Sequence, residues 1–133
     1  MTRDIYPKEM EADHKAFLQS FFAAVDDAAD EDLVNYFTDD ATFILGKQQA
    51  TGRQELLALF ASLRAWASTR GHELDQVFMA PGTDSAMMKG TVEYGLVTGG
   101  TVATQWAGWA HLVRGDSVRI DRYQIFFASD AAF

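Results

Sequence analysis

Three residues in the second half of the chain carry side chains suited to moving a proton: Asp121, Glu93 and His72. A carboxyl held in an apolar wall loses hydration of its charged form. Its pKa then rises toward the range where acid–base exchange near neutrality is efficient. Asp121 sits mid-run in Ile120-Asp121-Arg122-Tyr123, and Glu93 lies one β-patterned segment further out. On one face the two form a paired-carboxylate site. His72 opens the first β-patterned segment, and imidazole is the side chain whose unperturbed pKa suits proton transfer near neutrality. Each has a competing structural assignment: Asp121 as a rim carboxylate paired with Lys89 or Arg122, Glu93 as a solvated strand residue, His72 as a polar strand start. His14 and His111 read as structural. The three histidines lack His-x-x-x-His spacing and there is no cysteine, so no metal site is expected.

Two glycine-rich turns assign these residues to faces. If Gly99-Gly100 is a two-residue hairpin loop, Thr98 pairs with Thr101 and Glu93 lies opposite Trp106. If Gly115-Asp116 is another, Arg114 pairs with Ser117 and Ala110 lies opposite Asp121. Cross-strand partners share a face. One face then carries Thr91, Glu93, Trp106, Gly108, Ala110, Asp121, Tyr123, Ile125 and Phe127: small residues, aromatics and two carboxylates, the mixture that lines small-molecule pockets. The other carries Met88, Tyr94, Trp109, His111, Gln124 and Phe126, an apolar outer face that calls for a partner. A one-residue slip in either turn exchanges the faces. Tyr123, Trp106, Phe60, Trp66, Phe127 and Thr91 are the candidate substrate-binding residues, with Tyr123 able to donate to a carbonyl.

The elements that must position them change period along the chain. Residues Glu9 to Ala29 read as a first helix with a stripe of Met10, Phe17, Phe21, Ala24 and Ala28. Asp30 opens a short second helix to Phe37, acidic in its first turn. Asp39-Asp40 is a turn signal, and Ala41 to Leu45 a short strand. Thr51-Gly52-Arg53-Gln54 resembles a capping box and opens a third helix from Arg53 to Ser68, with Gly71 just past its end. After Gly71 the period is two, with strands at His72–Ala80, Ala86–Val97, Thr101–Arg114 and Ser117–Ala128. Helices first and a meander last predict one α+β domain over residues 1–133.

The 133 residues include 48% hydrophobic side chains, enough for one core without disulfides. Formal net charge is −8, with 11 Lys+Arg against 19 Asp+Glu. This balance argues against nucleic acid and against anionic membrane surfaces. The polar segment Met1 to Lys15 does not read as a signal peptide, and no apolar run reaches the roughly 20 residues of a membrane span. A cytoplasmic setting fits the cysteine-free composition.

Several stretches resemble the SnoaL-like branch of the nuclear transport factor 2-like superfamily. These are Tyr36-Phe37-Thr38-Asp39-Asp40-Ala41-Thr42-Phe43, Gly52-Arg53-Gln54-Glu55-Leu56, Gly71-His72-Glu73-Leu74, Gly90-Thr91-Val92-Glu93-Tyr94 and Arg119-Ile120-Asp121-Arg122-Tyr123-Gln124-Ile125-Phe126. The resemblance covers nearly the whole chain. It implies a cystatin-like α+β cone: three N-terminal helices packed on a strongly bent, mostly antiparallel sheet in the order helix-helix-strand-helix-strand-strand-strand-strand, around an internal pocket. It also implies a pocket carboxylate, for which Asp121 stands, a histidine near the pocket mouth, for which His72 stands, and a homodimer through the outer face of Trp109, Tyr94, Met88 and Gln124. The implied activity is an isomerase, cyclase or dehydratase working by general acid–base catalysis on a small, apolar, carbonyl-bearing substrate without a cofactor. The rival is a non-catalytic ligand-binding or dimeric interaction domain. The ketosteroid isomerase site needs an Asp base and a Tyr; aligned on the Asp-Asp-Ala-Thr stretch, these positions hold Leu45 and Phe21. The Asp-Arg-Asp arrangement of limonene epoxide hydrolase is absent too.

Overall fold

A computed structural model describes residues 5–128; the first four residues of the polar N-terminal segment lie outside that range. Helix α1 spans Ala12–Asp27 and buries His14, Leu18, Phe21, Phe22 and Ala24. Positions 14, 18, 21 and 22 recur at the helical period, so His14 belongs to the core-facing stripe. A short helix α2, Asp30–Leu33, and a 3-10 turn, Val34–Tyr36, lead into strand β1, Phe37–Leu45. Asp39-Asp40, expected as a turn, lies inside β1, where the pairing register shifts between Phe37 and Thr42. The irregularity absorbs the two carboxylates without ending the strand.

Strand β2, Gln48–Thr51, has no counterpart in the expected element order. It forms a hairpin with β1 across Gly46-Lys47, Leu45 pairing with Gln48, and Gly46 takes φ 59. Four polar or small residues on a sheet edge carry little periodic signal, which is why the pattern passes over them. Helix α3, Arg53–Trp66, is preceded by Gly52 at φ 85. The expected Thr51 cap does not form: its hydroxyl lies 3.2 Å from that of Thr42, and its N–H donates to Glu55 Oε1 at 3.0 Å. Strand β3, Ala67–Met79, begins at once, so Gly71 pairs with Glu93 inside a strand rather than closing the helix. Strands β4, Ser85–Leu96, β5, Thr101–Arg114, and β6, Val118–Phe127, complete the sheet.

The sheet order is β2-β1-β6-β5-β4-β3. β1 runs parallel to β6 and every other described pair is antiparallel. The expected strongly bent cone is not what forms: the sheet is mixed, and is neither strongly curled nor closed. Its edges, β2 and β3, stand at opposite ends of the order and do not pair. Helices α1 and α3 supply the second layer instead, and the core lies between them and one face of the sheet.

That face differs from the expected one, for a reason in the two hairpins. Gly95, not Thr98, pairs with Thr101, so Glu93 lies opposite Ala103 rather than Trp106. Val97 N–H instead donates to the Trp66 carbonyl at 3.0 Å, and Gly99 and Gly100 take positive φ in the longer connection. The slip is three residues, an odd number, so β4 turns over. Met88, Val92 and Tyr94 are buried in the core, and Thr91 and Glu93 lie on the opposite face. At the second hairpin Arg114 pairs with Val118, one residue beyond expectation. A further shift follows: Leu112 pairs with Ile120 but His111 with Arg122, leaving Asp121 as the extra residue of a bulge. The two offsets restore the expected face for Trp106, Gly108, Ala110, Tyr123 and Ile125. They put Ile120 in the core and Asp121 outside it. Among the described residues no helix is long and apolar enough to cross a membrane.

Candidate functional site

A cavity of about 60 Å³ lies between the helices and the sheet. Its walls are mostly aromatic and aliphatic: Phe21, Phe22 and Val25 from α1, Phe37, Phe43 and Leu45 from β1, Phe60 and Leu63 from α3, and Tyr123 and Ile125 from β6. Three polar side chains interrupt them at the β3–β4 end: Arg70, His72 and Tyr94. Arg70 pairs across the strands with Tyr94, and His72 pairs with Val92 two residues along. The period of two therefore puts all three on the cavity face.

His72 is the best-anchored of these. Its Nδ1 lies 2.7 Å from Asp26 Oδ1, and its backbone N–H donates to Asp26 Oδ2 at 3.0 Å. The side chains are 9% and 21% exposed respectively. The ring packs against Phe22 at 5.9 Å and edge-on against Trp106 at 5.9 Å. A carboxylate can only accept, so it selects the tautomer with the proton on Nδ1 and leaves Nε2 with its lone pair. Asp26 reaches His72 because the last turn of α1 crosses the start of β3.

Arg70 donates through Nε to the Val25 carbonyl, which holds the guanidinium at the cavity wall. Burial lowers its pKa, with Arg64 adding to the effect and Asp30 and Asp26 opposing it. Arg64 itself donates to Asp30 at 2.5 Å and to the Ala28 carbonyl at 2.6 Å. Burial pushes Tyr94 up to about 12, and it pushes Tyr123 up as well, so both phenols stay protonated at neutral pH. Tyr94 packs against Trp66 at 4.9 Å, and Tyr123 stacks on Phe43 at 5.2 Å.

Of the three residues expected to carry chemistry, His72 lines this cavity and Asp121 and Glu93 do not. Glu93 is exposed on the opposite face. Asp121 sits on that face too, its Oδ1 2.7 Å from His111 Nδ1, with side chains 36% and 39% exposed. Among the expected binding residues, Phe60 and Tyr123 line the cavity. Trp106 supports His72 and Phe22 from behind, at 5.6 Å from Phe22. Trp66 backs Tyr94, Thr91 faces away, and Phe127 pairs with Trp106 at the end of β6. Tyr94 and Met88, expected on the outer face, are core residues.

Asp26, Arg70 and Tyr94 are the residues that sequence reasoning missed. A signal for Asp26 is present: it stands four residues after Phe22 on the buried stripe of α1, where a lone carboxylate implies a partner. Arg70 and Tyr94 depend on the β4 register and carry no local mark. A further polar group, Glu11, Asp13 and His14, has ligand atoms within 4.8 Å of one another at the other end of α1.

No family model matches the chain, and no curated protein does. Solved structures do match in fold. A ketosteroid isomerase-like protein from Erwinia carotovora atroseptica superposes with a TM-score of 0.71 at 20% identity, over 92% of this chain and 99% of that one. An NTF2-like protein of unknown function from an Exiguobacterium species gives 0.68 at 19%, over 88% and 98%. ActVI-ORFA from Streptomyces coelicolor gives 0.72 at 16%, over 88% and 96%. At such identities the likeness is one of fold alone: the chain is folded like these ketosteroid isomerase-like and NTF2-like proteins.

Proposed function

We propose that this chain is a SnoaL-like acid–base catalyst, with His72 as the base, Asp26 as its positioning partner, and a small, carbonyl-bearing substrate in the cavity. The observation that carries the proposal is the 2.7 Å contact between His72 and Asp26 at the edge of a mostly apolar cavity. With its Nδ1 proton held by Asp26, His72 takes a proton from the carbon beside the carbonyl onto Nε2. The electron pair of that C–H bond forms a carbon–carbon double bond, and the carbonyl π pair moves onto the oxygen. Arg70, the cation lining the same cavity, stabilises the enolate that results. Returning the proton to the γ-carbon of a β,γ-unsaturated ketone gives isomerisation, and giving it to a β-hydroxyl that leaves as water gives dehydration. Neither needs a cofactor.

Cavity size bounds the substrate. About 60 Å³ is less than the roughly 150 Å³ that admits benzene in an engineered protein cavity. A ring-sized substrate therefore requires the phenylalanine walls to move, and the smallest ketones do not. The test follows α-proton exchange of acetone and cyclopentanone in D2O by NMR. Acceleration over buffer that saturates with ketone supports the reading. No acceleration, together with no perturbation of the His72 resonances, favours the rival of a non-catalytic binding domain.

The same reading includes a homodimer through the outer sheet face, now centred on Phe78, Met87 and Trp109, which pair across β3, β4 and β5. Phe78, Met87 and Phe126 are exposed. Sedimentation of Met87→Asp tests it: the substitution is expected to yield monomer from a dimeric parent, and a monomeric parent would refute the dimer.

A further inference from the structure

We propose that the N-terminal end of α1 and the β3–β4 hairpin together bind a divalent transition-metal ion, zinc by preference, with His14 and Asp84 as its anchoring ligands. His14 is a buried-stripe residue whose side chain is 3% exposed. Its Nε2 is buried without a hydrogen-bond partner. This nitrogen faces Asp84 Oδ1 at 3.4 Å, at the floor of a surface cleft of about 470 Å³.

The separation is poor for a hydrogen bond and right for two ligands on one ion. Tetrahedral zinc, with bonds of about 2.0–2.1 Å, sets its ligand atoms about 3.3–3.4 Å apart. Asp84 is 46% exposed, so its carboxylate can adjust, while its backbone carbonyl is tied down by the Leu112 N–H at 2.9 Å. Glu11 and Asp13 stand beside the same imidazole, their ligand atoms and that of His14 within 4.8 Å of one another.

Charge supports the same reading. Glu11 and Asp13 share one guanidinium, that of Arg114, and Asp84 lies beside the imidazole, so three carboxylates against one guanidinium leave an excess of two negative charges there. Arg114 grips Asp13 at 2.6 and 3.2 Å and also contacts Glu11. Glu11, which shares the Arg114 guanidinium with Asp13, is the third ligand, with water as the fourth. Asp13 remains with Arg114 as the outer partner that orients the set. His14 and Asp26 are twelve residues apart on α1 (26 − 14), about 18 Å along the helix, so this site is separate from the cavity. The ion would clip the helix start to the hairpin and stabilise the folded chain by mass action.

The test uses the whole chain after chelator treatment, titrated with Co2+ by visible absorption and with Zn2+ by calorimetry. One equivalent of Co2+ is expected to give the intense bands of a tetrahedral site, and Zn2+ to displace it. Asp84→Asn and His14→Gln should each weaken binding by about tenfold or more. Arg114→Gln, which removes the competing cation, should tighten it. Circular dichroism of each apo variant separates loss of the site from loss of the fold. No tetrahedral Co2+ signal at millimolar metal, or equal affinity in Asp84→Asn, would overturn the proposal.

Discussion

His72 and His111 each hold an aspartate oxygen at 2.7 Å through Nδ1, yet the two pairs lie on opposite faces of one sheet. The His72 pair is 9% and 21% exposed and borders a mostly apolar cavity; the His111 pair is 39% and 36% exposed and does not line that cavity. Water screens the second pair and competes for its hydrogen bonds. The first pair keeps its geometry because Phe22, Trp106 and the α1–β3 crossing hold the imidazole in place. The same two residue types at the same distance thus differ in what they can do, and the difference lies in the surroundings.

The largest expected effect breaks the comparison at the histidines. His72→Gln should lower catalysed ketone exchange by about 10²–10⁴-fold, the usual worth of a positioned general base, while His111→Gln leaves it unchanged. Equal losses in both variants would remove the distinction between the faces.

A smaller effect concerns the tyrosine beside His72 and Arg70. Tyr94 has its pKa raised from 10 to about 12 by burial, so the folded chain resists its ionisation. Its contribution to stability is complete below pH 10 and is lost as pH rises from 10 to 12. Two pKa units correspond to about 3 kcal/mol. Urea unfolding between pH 9 and 12 should show this fall in the parent and a shallower one in Tyr94→Phe.

Smaller again are the stabilities of the pairs themselves. Asp26→Ala removes the acceptor of two hydrogen bonds from a half-buried site and should cost about 2–3 kcal/mol. Asp121→Ala should cost less than about 1 kcal/mol. Denaturant midpoints measure both, and 1 M salt should shrink the second difference further.

The sequence distinguished the long helices from the strands that follow them, because the apolar period changes from 3.6 to 2 near residue 70, but it passed over β2 and read Asp39-Asp40 of β1 as a turn. It could not distinguish the two faces of β4. The turn around Gly99-Gly100 is longer than a two-residue hairpin, and its Val97 N–H bonds to Trp66, a residue distant in sequence. Asp121 escaped for a similar reason, since a bulge leaves no mark in Ile120-Asp121-Arg122-Tyr123. His72 could be picked out by type and position. Its partner could not, because the contact with Asp26 joins residues 46 positions apart. The open mixed sheet also corrects the cone: that shape came from resemblance, whereas β1 lying parallel beside β6 is a long-range pairing with no local signal.

The central claim is that Asp26 fixes the proton on His72 Nδ1 and leaves Nε2 to receive one from a guest in the cavity. Long-range 1H–15N correlation of the three histidines at neutral pH, with and without saturating acetone, tests it most directly. The expected spectrum shows His72 protonated on Nδ1, with its Nε2 resonance moved by the ketone and His111 unmoved. A His72 protonated on Nε2 instead, or a ketone response confined to His111, would contradict it.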